Sequence, residues 1–187
     1  VRSLEGFLLD NGHFMDLQSF TLSGNIRDSE TREPVSANMV KKLIGEFFAE
    51  RTEDIEPVED AIDTLAALSE QAQILVLSNV PLDQQDARRR ALVKNRMDYP
   101  LVANIGRKGG AMAYLAERHE APIFFLDDIP HNISSVARAA GSVTRIHFIA
   151  DHRLRNLLGQ ADDAHARIDD WPGVQQFIET RLREDGF

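Results

Sequence analysis

Ile123-Phe-Phe-Leu-Asp127-Asp128-Ile-Pro-His-Asn132 is an apolar run that ends in two adjacent carboxylates. A stretch this apolar reads as a short buried strand, and paired acids at its end mark the carboxyl edge of a sheet. Two earlier stretches have the same design. Gln73-Ile-Leu-Val-Leu-Ser78-Asn79 carries an apolar run into a hydroxyl and an amide, and Arg107-Lys108-Gly109-Gly110 sets a cation in front of a helix start. In open α/β sheets ligands collect at the carboxyl ends of strands, where side chains and helix N-termini converge. Together the three stretches read as a phosphate-handling site.

Working outward, strand-like and helix-like patterns alternate from Pro57 onward, which predicts an α/β domain with a parallel sheet flanked by helices. Pro57 suits a first helical turn ahead of Ala61, Ile62, Leu65 and Leu68. Ile74 to Leu77 reads as a strand, and a polar, arginine-rich helix follows Pro81 to about Arg96. Leu101 to Ala103 is a second strand, Gly109 and Gly110 open a helix, and Ile123 to Leu126 is a third strand. Ile133, Val136 and Ala137 mark a helix closed by Gly141, Val143 to Ile149 and Ala166 to Ile168 are strands, and Pro172 starts an amphipathic helix.

The first fifty residues read differently. Leu4, Phe7 and Leu8 fit one helix, Val40, Leu43, Ile44, Phe47 and Phe48 another, and Ser23 to Glu33 between them is polar with no core face. Residues 1–52 are therefore expected to form a small helical insertion, and residues 53–187 the α/β core.

Composition bounds the function. The chain has 187 residues, 43% hydrophobic and 27% charged, as globular domains do. A net charge of −9 argues against a nucleic-acid partner, whose phosphates demand Lys and Arg. The absence of cysteine excludes disulfides, thiolate metal sites and a Cys nucleophile. No apolar run approaches the roughly 20 residues that cross a bilayer, and no signal peptide is visible, so a cytoplasmic protein is expected. Oligomeric state is not legible.

Each candidate has a plainer alternative. Ser78 and Asn79 can present hydroxyl, amide and backbone N–H groups to a phosphate, or Ser78 can cap the helix after Pro81. Lys108 with Gly109 can stabilise a dianion at a helix start, or be a solvated surface lysine. Asp127 and Asp128 can share a Mg²⁺ ion, which takes one or two carboxylates plus waters and phosphate oxygens, or Asp128 can cap the next helix. Two anions at a buried strand end need a cation or protons, so the acidic pair is the strongest signal. The six histidines form no zinc or serine-hydrolase motif and read mostly as surface residues.

The order and spacing of these stretches resemble the haloacid dehalogenase-like superfamily of hydrolases, mostly Mg²⁺-dependent phosphatases with a Rossmann-like core. The resemblance covers roughly Pro57 to Ile149. It implies that Ser78 hydrogen-bonds the transferred phosphoryl group, that Lys108 neutralises nucleophile and phosphate, and that Asp128, with Asp127 directly or through water, binds Mg²⁺. Asn132 would orient Lys108. The implied reaction is phosphoryl transfer through an aspartyl-phosphate intermediate, on a small phosphorylated metabolite.

One part of the pattern is missing. The family's first motif, Asp-x-Asp at the end of a first strand, supplies the nucleophile, and no Asp-x-Asp precedes Ser78. Asp10 in Leu8-Leu9-Asp10-Asn11-Gly12 is a poor substitute, since Leu4, Phe7 and Leu8 share a helical face and Asn11-Gly12 is a helix stop. A sheet without that strand would leave edges open. The expectation is therefore a nucleophile upstream of Val1, with residues 1–52 as the cap that closes over the site. The competing reading is a non-catalytic metal- and phosphate-binding protein of the same fold. A receiver domain, with its acids and lysine in the reverse order, and a P-loop or dinucleotide-binding domain fit less well.

Overall fold

A computed structural model describes all of residues 1–187. Helix α1 (Arg2–Asp10) buries Phe7 and Leu8 and stops at Asn11 and Gly12, the glycine taking a φ of +74°. Strands β1 (His13–Met15) and β2 (Ile26–Asp28) pair antiparallel, and helix α2 (Ala37–Arg51) starts on the hydroxyl of Ser36, which accepts from Met39 N–H. Phe7, Leu8, Ile26, Val40, Leu43 and Phe47 close a core of their own, with the Phe7 and Phe47 rings edge to face at 5.8 Å. The insertion is thus not wholly helical: the polar stretch expected to lack a core face contains β2, and Ile26 is fully buried. Strands of three residues are too short to show a period-two pattern against a polar loop.

The remainder alternates as expected: α3 (Ala61–Leu68), β3 (Val76–Ser78), α4 (Gln85–Lys94), β4 (Leu101–Ala103), α5 (Gly109–Ala116), β5 (Phe124–Asp127), α6 (Pro130–Ala139), β6 (Thr144–Phe148), β7 (Ala166–Ile168) and α7 (Trp171–Glu184). Pro57 lies ahead of α3 and not in its first turn, because Asp60 with φ +62° breaks the chain between them. No helix is long and apolar enough to cross a membrane.

The parallel strands fall into two sheets. One is β3–β4; the other is β5–β6–β7, ordered as in the chain. Strands β3 and β5 are not hydrogen-bonded to each other, yet the same two helical layers cover both sheets. On one face Leu77 of β3 and Phe125 of β5 join a core with Met112, Ile133 and Val136 from α5 and α6. On the other, Ile74, Phe124 and Leu126 pack with Leu68 of α3 and Val174, Ile178 and Leu182 of α7. The helices therefore span both sheets, leaving between them a slot toward which β3 and β5 each keep an unpaired edge. Unpaired backbone edges are costly to leave and ready to accept a strand.

Helices α5 and α6 close this arrangement by direct backbone approach. A Cβ at Gly109 would stand 2.3 Å from the Ser135 carbonyl oxygen and 3.2 Å from the Ala139 Cβ. Only glycine fits there, and the contact is backbone, which cannot swing aside. Gly109→Ala is expected to cost about 2 kcal/mol, read as a fall in Tm of about 4–8 °C at this chain length. An unchanged Tm would mean that the α5–α6 approach is not tight.

Candidate functional site

Strand β5 delivers Asp127 with a side chain only 2% exposed. Its charge is met on both oxygens. Lys108 Nζ donates to Oδ2 at 2.7 Å, while Ile129 N–H and the Asn132 amide donate to Oδ1 at 2.9 and 3.0 Å. Lys108 stands just before α5, in the loop after β4, so this ion pair joins the carboxyl ends of the two sheets. Asn132, in the first turns of α6, holds Asp127 and not Lys108; its own Oδ1 is buried without a partner.

Asp128 differs from its neighbour in every respect. It is exposed by area and caps nothing: α6 begins after Ile129 without a side-chain cap, while Asp127 takes the Ile129 N–H. Desolvation by the crowded site, and then the charge of Asp127, push its carboxyl above the ordinary 3.8. The positive charges of Lys108 and of the Val1 amino group act in the opposite direction.

Ser78 ends β3, half-buried, and caps no helix, since the turn after it begins at Pro81 without a side-chain cap. Asn79 serves the loop that carries Lys108. Its amide donates to the Gly106 carbonyl at 2.9 Å, and Asn104 donates to both Asn79 Oδ1 and the Gly106 carbonyl, at 2.7 and 3.0 Å. Gly106, at φ +78°, makes the turn that this bracket closes. The Gly109 N–H is already committed to Ser135 Oγ at 3.1 Å, and Ser135 passes its own proton to the Asn132 carbonyl. Of the candidates, Lys108, Asp127 and Asn132 are therefore joined by hydrogen bonds, Asp128 follows within reach of the charges of Asp127 and Lys108, Asn79 and Gly109 hold the backbone around them, and the Ser78 hydroxyl remains free.

Sequence reasoning missed Asn104, Ser135 and, above all, His147. The last is fully buried in β6, in register with Asp127. Burial pushes its imidazole below the ordinary 6.5, against the opposing effect of its bond to the Asp128 carbonyl. The histidines read mostly as surface residues, and the only signal against that at His147 was its place inside the apolar run Val143 to Ile149.

No group of three or more His, Cys, Asp or Glu side chains gathers to form a complete metal cage. The donors present nevertheless suit Mg²⁺, which binds through one or two carboxylates and keeps waters and substrate oxygens for the rest. Asp128 is a carboxylate in excess of the local cations, with a depressed tendency to ionise that a divalent ion would relieve. Asp127 is already occupied by Lys108.

No protein-family model matches the chain, and no curated protein matches it in sequence. In three dimensions it is similar to a haloacid dehalogenase-like family hydrolase from Streptococcus pneumoniae, with a TM-score of 0.54 over 77% of this chain and 72% of that one, at 9% identity. The fold is therefore haloacid dehalogenase-like; identity this low speaks to the fold alone.

The raised pKa of Asp128 has a defined sign. The folded protein holds this proton more tightly than the unfolded chain does, so ionisation lowers stability as pH rises from 3.8 through the folded value, and the loss is complete above it. Asp128→Asn is expected to raise Tm near pH 7 without metal, and the gain should shrink toward pH 3.8. A gain that does not vary with pH would remove the electrostatic explanation.

Proposed function

We propose that this chain carries the binding and charge-stabilising residues of a Mg²⁺-dependent phosphatase for small phosphorylated metabolites. The observation that supports the reading best is the convergence of Lys108, Asp127 and Asp128 at the carboxyl ends of two parallel sheets, beside a slot that one more parallel strand would complete. The nucleophile is an aspartate on that strand. In this reading it is supplied from outside residues 1–187.

In this reading the transferred phosphoryl group lies between Ser78 and Lys108. The free Ser78 hydroxyl donates to one phosphoryl oxygen, and the Lys108 ammonium, held on Asp127, faces both the incoming carboxylate and the phosphate. Asp128 would hold Mg²⁺, which when bound supplies charge neutralisation on the phosphoryl oxygens. The aspartate attacks phosphorus, the alkoxide of the metabolite leaves, and water then hydrolyses the aspartyl-phosphate, freeing inorganic phosphate. Asp127 is the anchor of Lys108, because its two oxygens are already engaged. Residues 1–52 form the cap over this end of the sheet.

The test is hydrolysis of p-nitrophenyl phosphate, with and without Mg²⁺, by residues 1–187 and by the chain extended through the coding sequence ahead of Val1. Expected is turnover in the extended chain alone, lost by about 10²–10³-fold in Lys108→Ala, as for removal of a preorganised charge-stabilising group, and lost likewise in Asp128→Asn. If neither chain turns over while Mg²⁺ still binds, the enzyme reading fails and a metal- and phosphate-binding protein without a nucleophile takes its place.

A further inference from the structure

The register between β5 and β6 ends at the pair Asp127 and His147, so the next carbonyl, that of Asp128, lies beyond the ladder. His147 takes over as its partner: Nε2 is 3.1 Å from the Asp128 carbonyl oxygen. Its other nitrogen, Nδ1, accepts from Ala161 N–H at 3.1 Å. A backbone N–H only donates and a carbonyl only accepts, so the tautomer follows: the proton is on Nε2 and the ring is neutral.

The same Asp128–Ile129 peptide unit is gripped at its opposite end, where Ile129 N–H donates to Asp127 Oδ1. One plane therefore carries a continuous line of hydrogen bonds. It runs from Ala161 through the His147 ring to the Asp128 carbonyl, and from Ile129 N–H to Asp127 and Lys108. Rotating that peptide would swing the Asp128 carboxylate and withdraw the Ile129 N–H from Asp127 Oδ1, leaving that oxygen to Asn132 alone. An apolar residue at 147 would pack as well in β6, but would leave the Asp128 carbonyl and Ala161 N–H without partners.

We propose that His147 is a positioning residue for the acidic pair, setting the Asp128–Ile129 peptide plane and through it the carboxylates of Asp127 and Asp128. The part of the proposal that concerns Mg²⁺ rests on the phosphatase reading; the part that concerns the peptide plane does not.

Two substitutions separate the two bonds. His147→Gln places an amide nitrogen near the Nε2 position and keeps the bond to Asp128 while losing that to Ala161. His147→Asn places an oxygen near Nδ1 and keeps Ala161 while losing Asp128. In labelled protein without metal, the Asp128 carbonyl carbon and the Ile129 amide nitrogen are expected to shift in the Asn variant and to stay near wild type in the Gln variant. Calorimetry with Mg²⁺ is expected to show affinity weakened about 10-fold or more in Asn, the usual effect of losing a residue that orients a metal ligand, and nearly retained in Gln, at similar Tm losses. Resonances that move equally in both variants, or affinity that tracks Tm alone, would overturn the proposal. If wild-type protein binds no Mg²⁺, the phosphatase reading fails, while the resonances still decide the role of His147.

Discussion

The ion pair between Lys108 and Asp127 is the contact on which the rest of the site depends. It ties the loop after β4 to the end of β5, bridging two sheets that no backbone ladder connects. Burying such a pair is not automatically stabilising, because both charges lose water. Here the remaining acceptor capacity of Asp127 is satisfied by Ile129 N–H and Asn132, which is the condition under which a buried pair holds its geometry. Its value lies in position. It fixes one cation and one anion at the mouth of the slot, and it leaves Asp128 as the carboxylate without an ion-pair partner of its own.

The loops around that pair are held by polar groups with few alternatives. Asn79 and Asn104 bracket the turn at Gly106 on one side. On the other, Arg145 is buried without a carboxylate and gives its guanidinium to the carbonyls of Gly141, Val143 and Asp163, which ties the segment carrying Ala161 back to β6. A guanidinium cannot shed its proton, so burial obliges it to find such acceptors. These bonds order the loop that leads to Lys108 and the segment whose Ala161 N–H meets His147.

The N-terminal unit is joined to the core in another manner. It has its own apolar centre, and it is tied to the remainder by a partly exposed ion pair in which Arg153 forks onto Glu5 while also gripping Asp151; just past its end, Arg90 meets Glu53 and Lys94 meets Asp54 at the surface. Arg153 holds the Asp151 carboxyl down at about 2. Exposed pairs of this kind contribute little each, are screened by salt, and set orientation more than stability. Within the unit, Asp10 pairs with Arg51 at 2.8 Å, and it stands at the end of helix α1 and not of a strand.

The sequence by itself determined the α/β core and its reactive end. Parallel strands covered on both faces must read as continuous apolar runs, and the polar residues that stop them mark the carboxyl edge, which is why Ser78, Lys108 and Asp127-Asp128 were visible as a set. Short elements gave no such signal: β1 and β2 have three residues each, and one buried Ile26 does not make a period. Only the tertiary structure decided which carboxylate is anchored and which is free, because that depends on Lys108 reaching across 19 residues of chain to Asp127. It alone showed the break between β3 and β5, since backbone pairing between distant segments leaves no mark in local periodicity. It alone made His147 a partner of Asp128, because a side chain meeting a carbonyl on the neighbouring strand is a matter of register in space and not of residue type.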